Sequence, residues 1–87
     1  MGGPNRPEYP RGTHHLEFVL RPRKGKTVIL NVVNVHSMVA VGEIKWWGAW
    51  RKYCFFPQAG TVFDTNCMND INEQIERLMK ERREARR

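Results

Sequence analysis

Apolar and polar positions alternate in several short stretches and then switch to a helical period. Leu16, Phe18 and Leu20 alternate with Glu17, Val19 and Arg21, the period of a strand with one apolar face. Pro22-Arg23-Lys24-Gly25-Lys26 follows as a basic turn. Thr27 to Val35 is rich in β-branched residues and apolar on both parities, which predicts a second strand in a central or two-sided position. Val39 to Trp47 predicts a third strand with a parity conflict. Val39 and Val41 point one way and Ile44 and Trp46 the other, and a bulge at Gly42 would bring all four to one face. Trp50 to Phe56 predicts a fourth strand and Thr61-Val62-Phe63 a short fifth, separated by the turn Pro57-Gln58-Ala59-Gly60. From about Asn66 the period lengthens. Met68, Ile71, Ile75, Leu78 and Met79 fall on one helical stripe, with Asp64 or Asn66 as its cap. The predicted class is α+β: a single small domain, an antiparallel sheet of four to five strands followed by one C-terminal helix packed on one face.

The domain limits follow from where the pattern stops. Residues 1–13, MGGPNRPEYPRGT, carry Pro and Gly without apolar periodicity and read as a flexible N-terminal arm. Residues 14–82 form the domain, and 83–87 read as a frayed basic tail. Gly2 does not open a myristoylation motif, because Arg6 stands where Ser or Thr is required. A chain of 87 residues has room for one domain. No apolar run approaches the roughly 20 residues of a membrane span, and the first residues lack the apolar stretch of a secretion signal. The expected location is therefore the cytoplasm, with no membrane partner.

The most informative segment is the hairpin around Gly48-Ala49. A two-residue type II′ loop there sets Trp47 opposite Trp50, Lys45 opposite Lys52 and Glu43 opposite Cys54. The other parity sets Trp46 opposite Arg51 and Ile44 opposite Tyr53, and this more apolar face takes the helix. Two Trp and two opposed Lys would then face solvent. Like charges directly opposite destabilise a strand pair, so the arrangement points to an anionic partner whose bases stack on the Trp and whose phosphates meet the Lys. The bland alternative is a stabilising Trp pair with Lys stems packed on it.

Charge sharpens this picture without choosing the partner. The net charge is +6, and it is unevenly spread. Asp64, Asp70, Glu73 and Glu76 fall in a stretch without bases, while the final residues are dominated by Arg77, Lys80, Arg82, Arg83, Arg86 and Arg87. A positive body and tail attract nucleic acid or an acidic protein.

Enzymatic chemistry finds little support. His14, His15, His36, Cys54 and Cys67 show no Cys-x-x-Cys or His-x-x-x-His spacing, so a metal could be held only if the fold brought distant residues together. Cys67 near a helix start reads as a small buried residue before it reads as a nucleophile. Gly-rich phosphate loops are absent, and Glu43 is the only acid in the hairpin, so no carboxylate pair is present for acid–base work. The expectation is a protein that is not an enzyme and has no cofactor or metal.

The string GEIKWWGAWRKYCFFPQAGTVFDTNCMNDINEQIERL resembles a group of small bacteriophage and prophage proteins. Their shared core is similar to IKWYxxWRxYCFFP, then GTVF, then a Cys-bearing helix start. The matching residues are Ile44 to Trp46, Trp50-Arg51, Tyr53 to Pro57, Gly60 to Phe63, and Cys67. The resemblance implies a phage protein acting in a bacterial host cell. A further likeness is architectural: strands followed by a helix, with TVFDT ahead of it, resemble the sheet-type DNA-binding domains of phage integrases and of plant ethylene-response proteins. That likeness implies Lys45, Arg51, Lys52 and Trp47 or Trp50 as reading residues, although those domains carry more Arg on the reading strands. The sequence thus predicts a basic nucleic-acid-binding module that uses Lys45, Trp47, Trp50, Arg51 and Lys52 with the turn residues Arg23, Lys24 and Lys26. The alternative is a phage-encoded inhibitor of a host protein, such as a defence-system nuclease, anchored by Trp47, Trp50 and Arg51.

Overall fold

The computed structural model of the chain describes residues 15–22 and 25–85. The arm expected over residues 1–13, His14, Arg23, Lys24 and the last two residues of the expected tail lie outside them. Four strands, β1 (Leu16–Leu20), β2 (Leu30–Asn34), β3 (Val39–Trp47) and β4 (Lys52–Pro57), are followed by one helix, α1 (Thr65–Ala85). The strands form one antiparallel sheet in the order β1-β2-β3-β4. The fold is α+β, as the period change from two to 3.6 implies. β2, apolar on both parities, occupies a central place between β1 and β3.

The core forms between one face of the sheet and α1. Leu30, Val32, Ile44, Tyr53, Ile71 and Leu78 are buried together, with Phe18, Trp46, Phe55, Phe63, Ile75 and Met79 packed around them. Trp46 meets Tyr53 edge-to-face at 5.3 Å between ring centroids. The Arg82 guanidinium lies 4.1 Å above the Trp46 ring. This contact holds the far end of the helix against the sheet, and α1 runs on to Ala85 past the apolar stripe. The β4 edge is tied to the helix as well, since the Tyr53 backbone N–H donates to Met79 Sδ at 3.3 Å.

A bulge in β3 resolves the parity conflict. Val32 pairs with Gly42 but Val33 pairs with Ala40, so Val41 is the extra residue. Val41 thereby joins Ile44 and Trp46 on the core side, whereas Val39, expected there too, is 58% exposed. Gly42 permits this packing. A Cβ on it would lie 2.6 Å from the Phe55 ring, far inside van der Waals contact.

Four expectations are corrected. The hairpin loop is not two residues: Trp47 pairs with Lys52, and Gly48-Ala49-Trp50-Arg51 form the turn. The Arg51 N–H donates to the Trp47 carbonyl at 2.9 Å, and a φ of 56° at Arg51 turns the chain back so that Lys52 pairs with Trp47. β2 begins at Leu30 rather than Thr27, because the preceding Val28 N–H donates sideways to the Tyr53 hydroxyl. Thr61-Val62-Phe63 is not a strand. Its Thr61 hydroxyl closes a turn onto the Gln58 carbonyl at 2.7 Å, and Phe63 packs edge-on against Phe55 at 5.1 Å. Met68 is 53% exposed rather than core. The buried stripe is centred on Cys67, Ile71 and Leu78, which places Met68 at its margin.

Asp64 is the helix cap. Its carboxylate accepts the Cys67 backbone N–H at 2.9 Å, and its carbonyl accepts the Met68 N–H at 3.0 Å. The Cys67 N–H, and after it the Cys67 thiol, hold the Asp64 carboxyl below its ordinary value.

Replacing buried Ile71 by Ala should destabilise the fold by roughly 2–5 kcal/mol in denaturant unfolding. Gly42→Ala should also lower stability in the same measurement, since a methyl there would meet both the Phe55 ring and the Phe56 backbone carbonyl. A depressed carboxyl contributes stability above its unfolded value and loses it as pH falls through the folded one. Asp64→Ala should therefore lower the melting temperature at neutral pH, and the gap to the unaltered protein should close progressively in acid.

Candidate functional site

The sheet has a second face, and among the described residues no helix or strand covers it. Strand alternation selects its members. Val19 and Arg21 come from the β1 side, Asn31 and Val33 from β2, Glu43, Lys45 and Trp47 from β3, and Lys52, Cys54 and Phe56 from β4. The loop of four residues moves the β3–β4 register by two positions from the expected one. A two-residue move preserves parity, so Trp46 still points to the core and Trp47 away from it.

The neighbours on this face are nevertheless new. Lys45 faces Cys54, and Trp47 faces Lys52, so the opposed lysines do not exist. Lys45 instead points its Nζ to Glu43 Oε1 at 3.2 Å and lies 4.7 Å over the Phe56 ring. The other Glu43 oxygen accepts from Arg21 Nη1 at 2.7 Å. One carboxylate thus serves both cations, so each is paired and the centre of the face keeps a net charge of only +1. Exposed pairs of this kind add little stability, typically about 0–1 kcal/mol; their consequence here is to hold Lys45 over Phe56.

At the hairpin end the character changes. Trp47 stacks edge-on against Phe56 at 5.9 Å and against Trp50 at 6.3 Å, giving a continuous line of three rings. Trp47 is 42% exposed and Trp50 67%. Trp50 reaches this position from the loop, not from an opposing strand. Arg51 and Lys52 are exposed beside it and have no carboxylate partner among the described residues. The arrangement offers aromatic surface flanked by two available positive charges. Phe56, Arg21 and Glu43 belong to the face although they were not among the expected site residues. Phe56 has the parity of Lys52 and Cys54, so strand alternation alone could have placed it there.

The remaining expected residues divide. Lys26 lies on the helix side of the sheet, lining a groove with Val28, Tyr53, Leu78, Glu81 and Arg82, and so does not extend the aromatic face. Arg23 and Lys24 lie outside the described residues. Cys54 is half-buried on the outer face and Cys67 is buried at the helix start. Burial pushes the Cys67 thiol up from its ordinary value, reinforced by Asp64, which disfavours the thiolate form. No group of three or more metal-ligating side chains occurs among the described residues. No helix among them is long and apolar enough to cross a membrane.

Comparison with known proteins adds lineage. No family profile matches the chain, and no solved structure matches it, so the likeness to integrase-type and ethylene-response DNA-binding domains finds no support. A protein of Acholeplasma phage L2, described as an uncharacterized 9.3 kDa protein, is 37% identical over 75 residues, covering 85% of this chain and 96% of the phage protein. The aligned length takes in nearly the whole of the relative. The chain belongs to the family of this small phage protein.

Proposed function

We propose that the protein is a non-enzymatic module that binds single-stranded nucleic acid on the outer face of its sheet, at the β3–β4 hairpin. The observation that carries this reading is the pair Trp47 and Trp50, both exposed and edge-to-face, beside the available charges of Arg51 and Lys52. Aromatic rings stack on bases of any sequence, and flanking cations meet the backbone phosphates. Stacking of this kind needs unpaired bases, which favours single strands over duplex. The net charge of +6 favours encounter with a polyanion. Lys45, held by Glu43, positions Phe56 more than it meets phosphate.

Tryptophan fluorescence titration with a mixed-sequence single-stranded oligonucleotide tests the reading. Log affinity should fall linearly with log salt, with a slope of about −0.7 per neutralised phosphate. Arg51→Gln with Lys52→Gln should flatten that slope by about one to two units, and Lys45→Gln should change it less. Trp50→Ala should weaken binding by about 1–3 kcal/mol while leaving the melting temperature nearly unchanged. Trp46→Ala, on the core face, should instead destabilise the fold by roughly 3–5 kcal/mol. Absence of binding at low salt would remove the nucleic-acid reading. Retention of one host protein by the same face, insensitive to nuclease and lost in Trp50→Ala, would replace it with the inhibitor reading.

A further inference from the structure

The histidines do not space as metal ligands along the chain, but the sheet brings two of them together. His15 immediately precedes β1, and His36 sits in the turn between β2 and β3. The Nδ1 of His15 is 3.2 Å from the Nε2 of His36, with ring centroids 5.3 Å apart and the planes tilted by 51°. Two nitrogens bound at 2.0–2.1 Å to one ion, at an angle between octahedral and tetrahedral, lie about 2.9–3.4 Å apart. The observed separation falls in that interval and is at the long end for a hydrogen bond between two rings.

We infer that His15 and His36 form a two-imidazole site for a divalent transition metal ion of the zinc, nickel or copper type. The site is built before any ion arrives. The Val35 N–H donates to the His15 carbonyl at 2.9 Å, continuing the β1–β2 ladder to the histidine itself, and the Met38 N–H closes the turn on the Asn34 carbonyl at 2.7 Å. The Asn34 side chain accepts the His36 N–H at 2.8 Å and the Ser37 N–H at 3.2 Å, fixing the turn that presents the second ring. Imidazole nitrogen suits these ions better than magnesium or calcium, which take oxygen.

Proton balance is simple. In the ion-free pair one ring donates its N–H to the facing nitrogen of the other. On binding, that ring moves its proton to its second nitrogen, and both facing lone pairs go to the metal. No third protein ligand converges on the pair among the described residues, so the remaining coordination positions fall to water or to a donor atom of a bound molecule. The ion would pin the start of β1 to the β2–β3 turn, at the end of the sheet opposite the Trp47–Trp50 hairpin, and this inference does not depend on the proposed nucleic-acid binding.

Zinc chloride titrated calorimetrically into the full chain at slightly alkaline pH tests the site, with His15→Ala, His36→Ala and His14→Ala measured alongside. One saturable site is expected, weakened about ten- to a hundredfold in both His15→Ala and His36→Ala, with His14→Ala much less affected. Copper(II) bound to the unaltered protein should show two coordinated nitrogens by electron paramagnetic resonance, and one fewer in His36→Ala. His36 is exposed in a turn, so its variant should melt close to the unaltered protein. Absence of saturable binding, or binding unchanged in His36→Ala, would overturn the site; loss in His14→Ala with none in His36→Ala would place the ion on the N-terminal segment and overturn it equally.

Discussion

The contact between Phe55 and Gly42 fixes much of the rest. The Phe55 ring lies where any side chain at position 42 would begin, so the two strands fit in this register only because the β3 residue is glycine. From that register follow the positions of Ile44 and Trp46 on the core side and of Lys45 and Trp47 on the other. The bulge at Val41 is adjacent and complementary, since it brings a further apolar side chain to the core without changing the β3–β4 pairing. A core this small depends on such fits, because each buried side chain is a large share of a marginal total.

The helix is secured at both ends by contacts that differ in kind. Asp64 satisfies a free N–H at the start, and Arg82 lies over Trp46 near the finish. Between them Ile71 and Leu78 enter the apolar layer. Among the described residues the result is two layers, with one sheet face covered. The open face divides its residues by charge: around Glu43 the cations are paired and rings are covered, while at the hairpin tip rings and cations are both available. That division, rather than total positive charge, is what singles out the hairpin end in the proposed binding.

Much of this was legible in the sequence because strand alternation is robust. Leu16, Phe18, Ile44, Trp46 and Tyr53 fall on the inner face by parity alone, and a two-residue change in loop length leaves parity intact. The loop itself was not legible. Glycine usually marks the left-handed position of a turn, yet Gly48 does not take it and Arg51 does. The opposed lysines were a product of that misplaced turn. The fifth strand failed because β propensity describes a residue's fit to a pleated surface, and Thr61 to Phe63 instead form a crossing segment whose anchor is Phe63 against Phe55. Met68 misled because a periodic stripe leaves its phase open by one residue, and the half-apolar Cys67 took the inward position. The His15–His36 pair lay beyond any spacing rule, since the β1–β2 pairing, extended by Val35 N–H to the His15 carbonyl, brings residues so far apart in the chain together.

The central claim is that the outer aromatic end of the sheet, and not the helix side, is the functional surface. Chemical-shift mapping tests it most directly: a short single-stranded oligonucleotide titrated into isotopically labelled protein at low salt. The account predicts shifts of the Trp47 and Trp50 indole N–H signals and of the Arg51 and Lys52 amides, with Trp46 and the α1 amides unmoved. Shifts concentrated on α1 and the Lys26–Arg82 groove, or none at all, would contradict it.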